Sequence, residues 1–134
     1  MKKITPVIII LFIVLAGFLL FSSNPAPRNS NSAQTLEDFL KQNNPNPEVA
    51  EAYRFAKENP QGILSKVKCY CGCMQNQGHK NNRDCFINED GSFDLMGLNC
   101  GLCVKTALTA KQMLAEGKSV QEISDYVDSR WGHN

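Results

Sequence analysis

Three cysteines stand at every second position in the segment Cys69-Tyr70-Cys71-Gly72-Cys73. Cysteines two positions apart do not easily form a disulfide with each other, because the small ring would strain the backbone and the S–S torsion. Their sulfur atoms can instead be directed at one common point, and Gly72 permits the tight backbone turn that this requires. Cysteine thiolates bind soft and borderline cations such as Cu(I) and Zn(II). The spacing therefore favours a thiolate metal site.

Three further cysteines complete the set of six in the chain. Cys100 and Cys103 are three positions apart at the start of a predicted helix, which places them on one face. Such a pair is equally suited to metal ligation and to dithiol redox chemistry. His79 lies between Cys73 and Cys85, and its imidazole could bind the same ions. The predicted metal ligands are Cys69, Cys71, Cys73, His79, Cys85, Cys100 and Cys103.

Two other interpretations of the cysteines remain open at this point. Cys100 and Cys103 could act as a thiol–disulfide redox pair, or three disulfides could staple a small exported interaction domain. Six cysteines allow fifteen pairings, among which the sequence does not choose. The alternation at residues 69–73 favours metal binding, because a stapled domain has no need for a thiol at every second position. Six thiolates exceed the four that one tetrahedral ion takes, so either two ions share sulfurs or only some cysteines bind.

The N-terminal segment has the pattern of a membrane anchor or a signal peptide. Lys2 and Lys3 precede an almost continuous apolar run over residues 4–21, which is near the minimum length that spans a bilayer as a helix. Because positive charge stays on the cytoplasmic side, the rest of the chain is expected outside the cell. We therefore expect a single-pass protein of the cell membrane, or a secreted one if residues 1–21 are cleaved.

The remainder is predicted to be mostly α-helical. Residues 22–34 are rich in Ser, Asn and Pro and predict a flexible linker, so that residues 35–134 form the Cys-rich domain. Apolar periodicity predicts about four helices, with starts marked by Thr35, Pro47, Cys100 and the capping box at Ser119. A long irregular Cys-rich loop is predicted from residue 69 to about residue 99, with a short hairpin between residues 86–87 and 93.

Charge and motifs exclude several function classes. Two of the 14 basic residues are Lys2 and Lys3, so the rest of the chain carries 12 basic against 13 acidic residues. This near-neutral charge lacks the excess of basic residues that binds the phosphates of nucleic acids. The sequence shows no nucleophile–base pair and no phosphate-binding loop, so a binding protein is favoured over an enzyme. A metal-binding protein of this kind implies a metal donor or acceptor protein as its partner.

From about residue 47 to residue 132 the chain resembles the bacterial PCYCGC-motif family of exported proteins, which are often lipoproteins. Lys68 replaces the proline that names the motif, and the lipid-attachment cysteine is missing. The resemblance implies an extracytoplasmic domain with suspected metal binding. It rests on Cys69-Tyr70-Cys71-Gly72-Cys73, Gly78-His79, Asp84-Cys85-Phe86, Asn99-Cys100-Gly101-Leu102-Cys103 and the segment from Gly117-Lys118-Ser119 to Tyr126.

A second resemblance concerns the last two predicted helices. They begin at Cys100 and Cys103, end in Arg130-Trp131-Gly132, and are similar to the thiol-reducing subunit of the cytochrome c maturation machinery. This likeness implies dithiol chemistry for the two cysteines, covers about a quarter of the chain and does not account for residues 69–73. The absence of a C-x-x-C-H motif argues against covalent haem attachment.

Overall fold

A computed structural model describes residues 34–132, except for the side chain of Met74. Residues 1–21 and all but the last residue of the predicted linker lie outside this part, so the predicted membrane helix and linker stay predictions. Within residues 34–132, no helix has the length and apolar character needed to cross a membrane. The described part is mostly helical and contains no β-strand, which confirms the predicted helical class.

Four of the helices have eight or more residues, and the shorter ones all lie between the second and the third of these. In chain order the α-helices are α1 (Leu36–Asn43), α2 (Pro47–Glu58), α3 (Ile63–Lys66), α4 (Cys73–Asn76), α5 (Met96–Asn99), α6 (Gly101–Ala115) and α7 (Val120–Trp131). Two short 3-10 turns, Pro60–Gly62 and Arg83–Cys85, lie between them.

Side-chain caps fix where the long helices begin. The Thr35 hydroxyl accepts a hydrogen bond from the Asp38 backbone N–H at 3.1 Å and so starts α1. The side chain of Asn46 caps α2 in the same way, directly before a proline in the first turn, where its missing N–H costs nothing. Ser119 and Glu122 form the predicted capping box of α7. Each cap satisfies backbone N–H groups that have no partner inside the helix.

The Cys-rich segment is more regular than the predicted irregular loop. It contains α4, the turn Arg83–Cys85 and α5. These are too short to give an apolar periodicity that the sequence could reveal. The expected hairpin is present as an isolated antiparallel bridge between Ile87 and Phe93, closed by a hydrogen bond from the Asn88 N–H to the Ser92 carbonyl at 2.9 Å.

The core forms where α6 packs between α2 and α7. Small side chains permit close approach of α2 and α6, since alanines on both helices are completely buried. Ile123 and Val127 of α7 are also fully buried. Tyr53 of α2 extends the core toward the Cys-rich segment, because its ring packs edge-on against Phe86. The Tyr53 hydroxyl also donates to the backbone carbonyl of Asp94, which ties this segment to the helices.

Candidate metal centre

Five cysteine sulfur atoms meet at one point of the domain, all within 4.8 Å of one another. They come from three places in the chain: the segment 69–73, the turn Arg83–Cys85 and the first turn of α6. All six cysteines lie in the described part, and each is a free thiol. The five residues that converge are Cys69, Cys71, Cys73, Cys85 and Cys103.

Four of these sulfurs are especially close together. The Cys69 Sγ lies 3.0 Å from that of Cys71 and 3.3 Å from that of Cys85. The Cys103 Sγ lies 3.1 Å from that of Cys85, 3.4 Å from that of Cys71, and 3.8 Å from that of Cys69. A tetrahedral zinc ion with Zn–S bonds of about 2.3 Å sets its sulfurs about 3.8 Å apart. Outward movements of a few tenths of an ångström would therefore make room for an ion.

The cluster is shielded from water on most sides. The side chains of Cys69, Cys73, Cys85 and Cys103 are buried, and Cys85 is completely inaccessible. Cys71 is only half-buried, so solvent reaches the cluster from its side. A metal ion held at this cluster would be shielded from water on most sides and would enter or leave from the side of Cys71.

The thiols also share their protons unequally. Hydrogen bonds from the thiols of Cys103 and Cys85 hold the pKa of Cys69 well below its usual range. The thiols of Cys69 and Cys85, together with burial, raise the pKa of Cys103. Burial is the main cause that raises the pKa of Cys71. The contacts therefore favour a shared negative charge in the cluster, with the thiolate form most favoured at Cys69, and an ion that bound thiols still protonated would displace their protons.

Gly72 makes the alternating cysteines possible. Its backbone has a φ of +84° and lies at the start of α4, a conformation that side-chain-bearing residues rarely adopt. This turn lies between Cys71 and Cys73 and lets both sulfurs approach the cluster. The sequence-based interpretation of Gly72 as a tight-turn residue is confirmed.

The two residues on either side of Cys69 contact α7 through their side chains. Lys68 pairs with the Asp128 carboxylate at 3.2 Å, and the Tyr70 hydroxyl donates to the other oxygen of that carboxylate at 2.8 Å. Asp128 therefore holds the chain on both sides of Cys69. Sequence reasoning missed Asp128, because no local pattern links residues 58 positions apart.

Asn82 connects the Cys-rich segment to the first turn of α6. It is almost fully buried, its backbone N–H donates to the Val67 carbonyl at 2.8 Å, and its side-chain amide donates to the Cys103 carbonyl at 3.3 Å. These bonds position the backbone that carries Cys103. Asn82 was also missed, since an asparagine in a polar segment normally predicts a turn.

Two of the seven predicted ligands lie outside the five-sulfur group. Cys100 is the N-cap residue of α6, half-buried and one helical turn before Cys103. His79 is buried, and its Nε2 lies 3.7 Å from a carboxylate oxygen of Asp94. His79 also lines a polar pocket together with Asp84 and other residues of the loop. The structure thus brings five predicted ligands together, places Cys100 one helical turn from Cys103, and leaves His79 paired with Asp94 outside the group.

The sequence was compared with known protein families, curated proteins and solved structures. The sequence matches the family described as "Protein of unknown function with PCYCGC motif" over residues 25–134. No curated protein matches the chain, and no solved structure does. The match includes all five converging cysteines and most of the chain, which confirms the resemblance drawn from the motifs. The chain belongs to the PCYCGC-motif family.

Proposed function

We propose that this protein binds a soft or borderline metal ion, Cu(I) or Zn(II), through cysteine thiolates, and stores, buffers or transfers it. The observation that carries the proposal is the convergence of five sulfur atoms within 4.8 Å. Thiolate-rich sites prefer these ions to hard cations such as Mg²⁺ or Ca²⁺. The burial of the cluster supports the same function, because it protects an ion from water.

The arrangement of contacts favours a metal over disulfides. Cys69 and Cys103 each have three sulfur neighbours within 3.8 Å. A disulfide joins a sulfur to one partner only, whereas an ion brings several sulfurs together at once. A stapled domain would gain more from crosslinks distributed along the chain.

The number of sulfurs bears on the choice of ion. Cys69, Cys71, Cys85 and Cys103 have the closest sulfurs and would provide the four ligands of a tetrahedral Zn(II) site. Cys73 is then a fifth thiol within 4.8 Å of each of the others. If the ion is Cu(I), that extra sulfur allows thiolates to bridge more than one ion. Elemental analysis therefore has to identify the ion, and the stoichiometry shows whether thiolates bridge more than one.

We also propose an extracytoplasmic location with a membrane tether. The basic start at Lys2 and Lys3 and the apolar run over residues 4–21 support it. The partner would be a metal donor or acceptor protein, which would approach from the half-exposed side at Cys71. In this function the protein is a binding protein and not an enzyme.

Native mass spectrometry of the full-length chain, purified anaerobically without added metal, tests the proposal. We expect a mass increase that corresponds to one or more ions, confirmed by elemental analysis. Cys85→Ser should lose the ion, since Cys85 lies inside the five-sulfur group. Cys100→Ser is the matched control, because it makes the same substitution outside the group and should keep the ion.

Two results would contradict the proposal. A loss of about 2 Da per cysteine pair, without bound metal, would show disulfides in place of the ion. Equal metal content together with equal metal affinity in Cys85→Ser and the unaltered protein would show that the five-sulfur group is not the binding site.

A further inference from the structure

Cys100 and Cys103 are arranged so that one is accessible and the other belongs to the cluster. Cys100 is the half-buried N-cap of α6, and Cys103 is 1% exposed in the first turn of the same helix. Residues three positions apart on a helix are spatial neighbours, and a disulfide requires Cα atoms about 4.4–6.8 Å apart. The two thiols are therefore placed to form a disulfide with little movement of the backbone.

We propose that Cys100 and Cys103 form a thiol–disulfide exchange pair whose oxidation by a disulfide compound releases the bound ion. This inference rests on the proposed metal function and adds a second activity to the same site, namely redox-controlled release.

Cys100 is the thiol that reacts first. The thiol that attacks first must be accessible to its disulfide partner, and a sulfur that is not bound to an ion is the better nucleophile because its electrons are not shared with the ion. Cys100 is half-exposed and lies outside the five-sulfur group. Cys71 is also half-exposed, but its sulfur lies 3.0 Å from that of Cys69 and would be bound to the ion. Cys103 is too deeply buried for attack from solvent.

The exchange takes place in two steps. In the first, the Cys100 sulfur attacks a disulfide RSSR, forms a mixed disulfide with one RS group and releases the other as a thiol. In the second, the Cys103 sulfur leaves the ion and attacks the Cys100 sulfur, and the second RS group leaves as a thiolate that takes a proton from water. Two electrons pass from the cysteines to RSSR, which becomes two RSH. The oxidation state of the ion does not change.

Formation of this disulfide removes a central ligand. The Cys103 sulfur lies within 3.8 Å of those of Cys69, Cys71 and Cys85, so it is part of the most compact group of sulfurs. A disulfide sulfur carries no negative charge and binds metal far more weakly than a thiolate. The cluster would then have lost one of its four closest ligands, and Cys73 is the only cysteine of the group left to replace it. The affinity for the ion would fall, and a competing chelator would take the ion.

The experiment uses the full-length chain loaded with Zn(II), with oxidised glutathione as the disulfide and a chromophoric chelator to report released zinc. The unaltered protein should release its zinc with second-order kinetics in oxidised glutathione. Cys100→Ser should bind the same amount of zinc and release it at least about tenfold more slowly. Serine is a favoured N-cap residue, so this variant keeps the start of α6 intact.

Peptide mapping of the oxidised protein provides an independent readout. A disulfide between Cys100 and Cys103 is expected in the product formed as zinc is released. Equal release rates for Cys100→Ser and the unaltered protein, or a disulfide that joins other cysteines, would overturn the exchange pair while zinc binding itself stands. If neither protein binds zinc before glutathione is added, the proposed function and the inference both fail.

Discussion

The Tyr70 hydroxyl donates a hydrogen bond to the Asp128 carboxylate at 2.8 Å, across 58 positions of sequence. Tyr70 lies between the first two cysteines of the motif, and Asp128 lies on α7 near the end of the chain. The bond therefore connects the cysteine segment to the last helix. It gives the tyrosine of the motif a structural role, which is to hold the backbone that carries two of the converging sulfurs.

Removal of that bond should lower the stability of the domain. Tyr70→Phe should reduce the free energy of unfolding by about 0.5–1.5 kcal/mol, the usual net contribution of one hydrogen bond. Urea unfolding of the reduced, zinc-free protein, followed by the fluorescence of Trp131, would measure it. Tyr126→Phe is the matched control, because Tyr126 is 44% exposed, and it should change stability by less than about 0.5 kcal/mol. Equal effects of the two substitutions would contradict this role of Tyr70.

Gly97 lies against the ring of Phe86 and leaves no room for a side chain. A Cβ at this position would lie 2.5 Å from a ring carbon of Phe86 and 2.9 Å from the carbonyl oxygen of Cys85. Phe86 is completely buried, so it cannot move away without repacking the core. Gly97→Ala should therefore destabilise the domain by about 1–3 kcal/mol and disturb the backbone that carries Cys85.

Gly101→Ala is the control for this substitution. A Cβ there meets no atom within 4 Å, and alanine is a better helix former than glycine at the start of α6. We expect unchanged or slightly higher stability in the same urea experiment. A comparable loss in both variants would show that contact with Phe86 is not the cause.

His79 should be dispensable for metal binding. Its Nε2 lies 3.7 Å from Asp94, and it is not among the five groups that converge. We expect His79→Gln to bind the same number of ions as the unaltered protein, while Cys85→Ser loses them. Elemental analysis of the three proteins, purified side by side, gives the answer. Loss of the ion in His79→Gln would show that the imidazole is a ligand. The segment that carries His79 would then have to rearrange when the ion binds.

Metal affinity should increase with pH. The pKa of Cys103 is raised by contact with the neighbouring thiols and by burial, and that of Cys71 is raised mainly by burial. A raised pKa means that the thiol keeps its proton at neutral pH, so an ion must displace it. Each proton released per ion increases the apparent association constant about tenfold per pH unit. Competition titrations with a zinc chelator between pH 6 and pH 8 would test this, since an affinity independent of pH would contradict it.

Much of the helical framework could be predicted from the sequence, because the relevant signals are local. Thr35 and Ser119 cap their helices through residues three positions ahead, and Pro47 marks the first turn of α2. The apolar periodicity of the long helices is visible within each of them. The short helical turns of the Cys-rich segment could not be predicted, since four residues carry no periodicity.

Only some of the residues that form the site could be predicted from the sequence. The alternating cysteines indicated convergence of sulfurs, and the structure shows five together. Spacing alone predicted the same role for Cys100 and Cys103, although Cys100 is the half-buried N-cap residue of α6 and Cys103 lies inside the cluster. Asn82 and Asp128 act through contacts 21 and 58 positions away. Such contacts depend on how the helices pack, which one sequence does not reveal.

X-ray absorption spectroscopy at the zinc edge of the loaded full-length protein tests the central claim most directly. The five-sulfur group predicts a first coordination shell made only of sulfur, at about 2.3 Å from the ion. A first shell that contains nitrogen or oxygen in place of these sulfurs would contradict it.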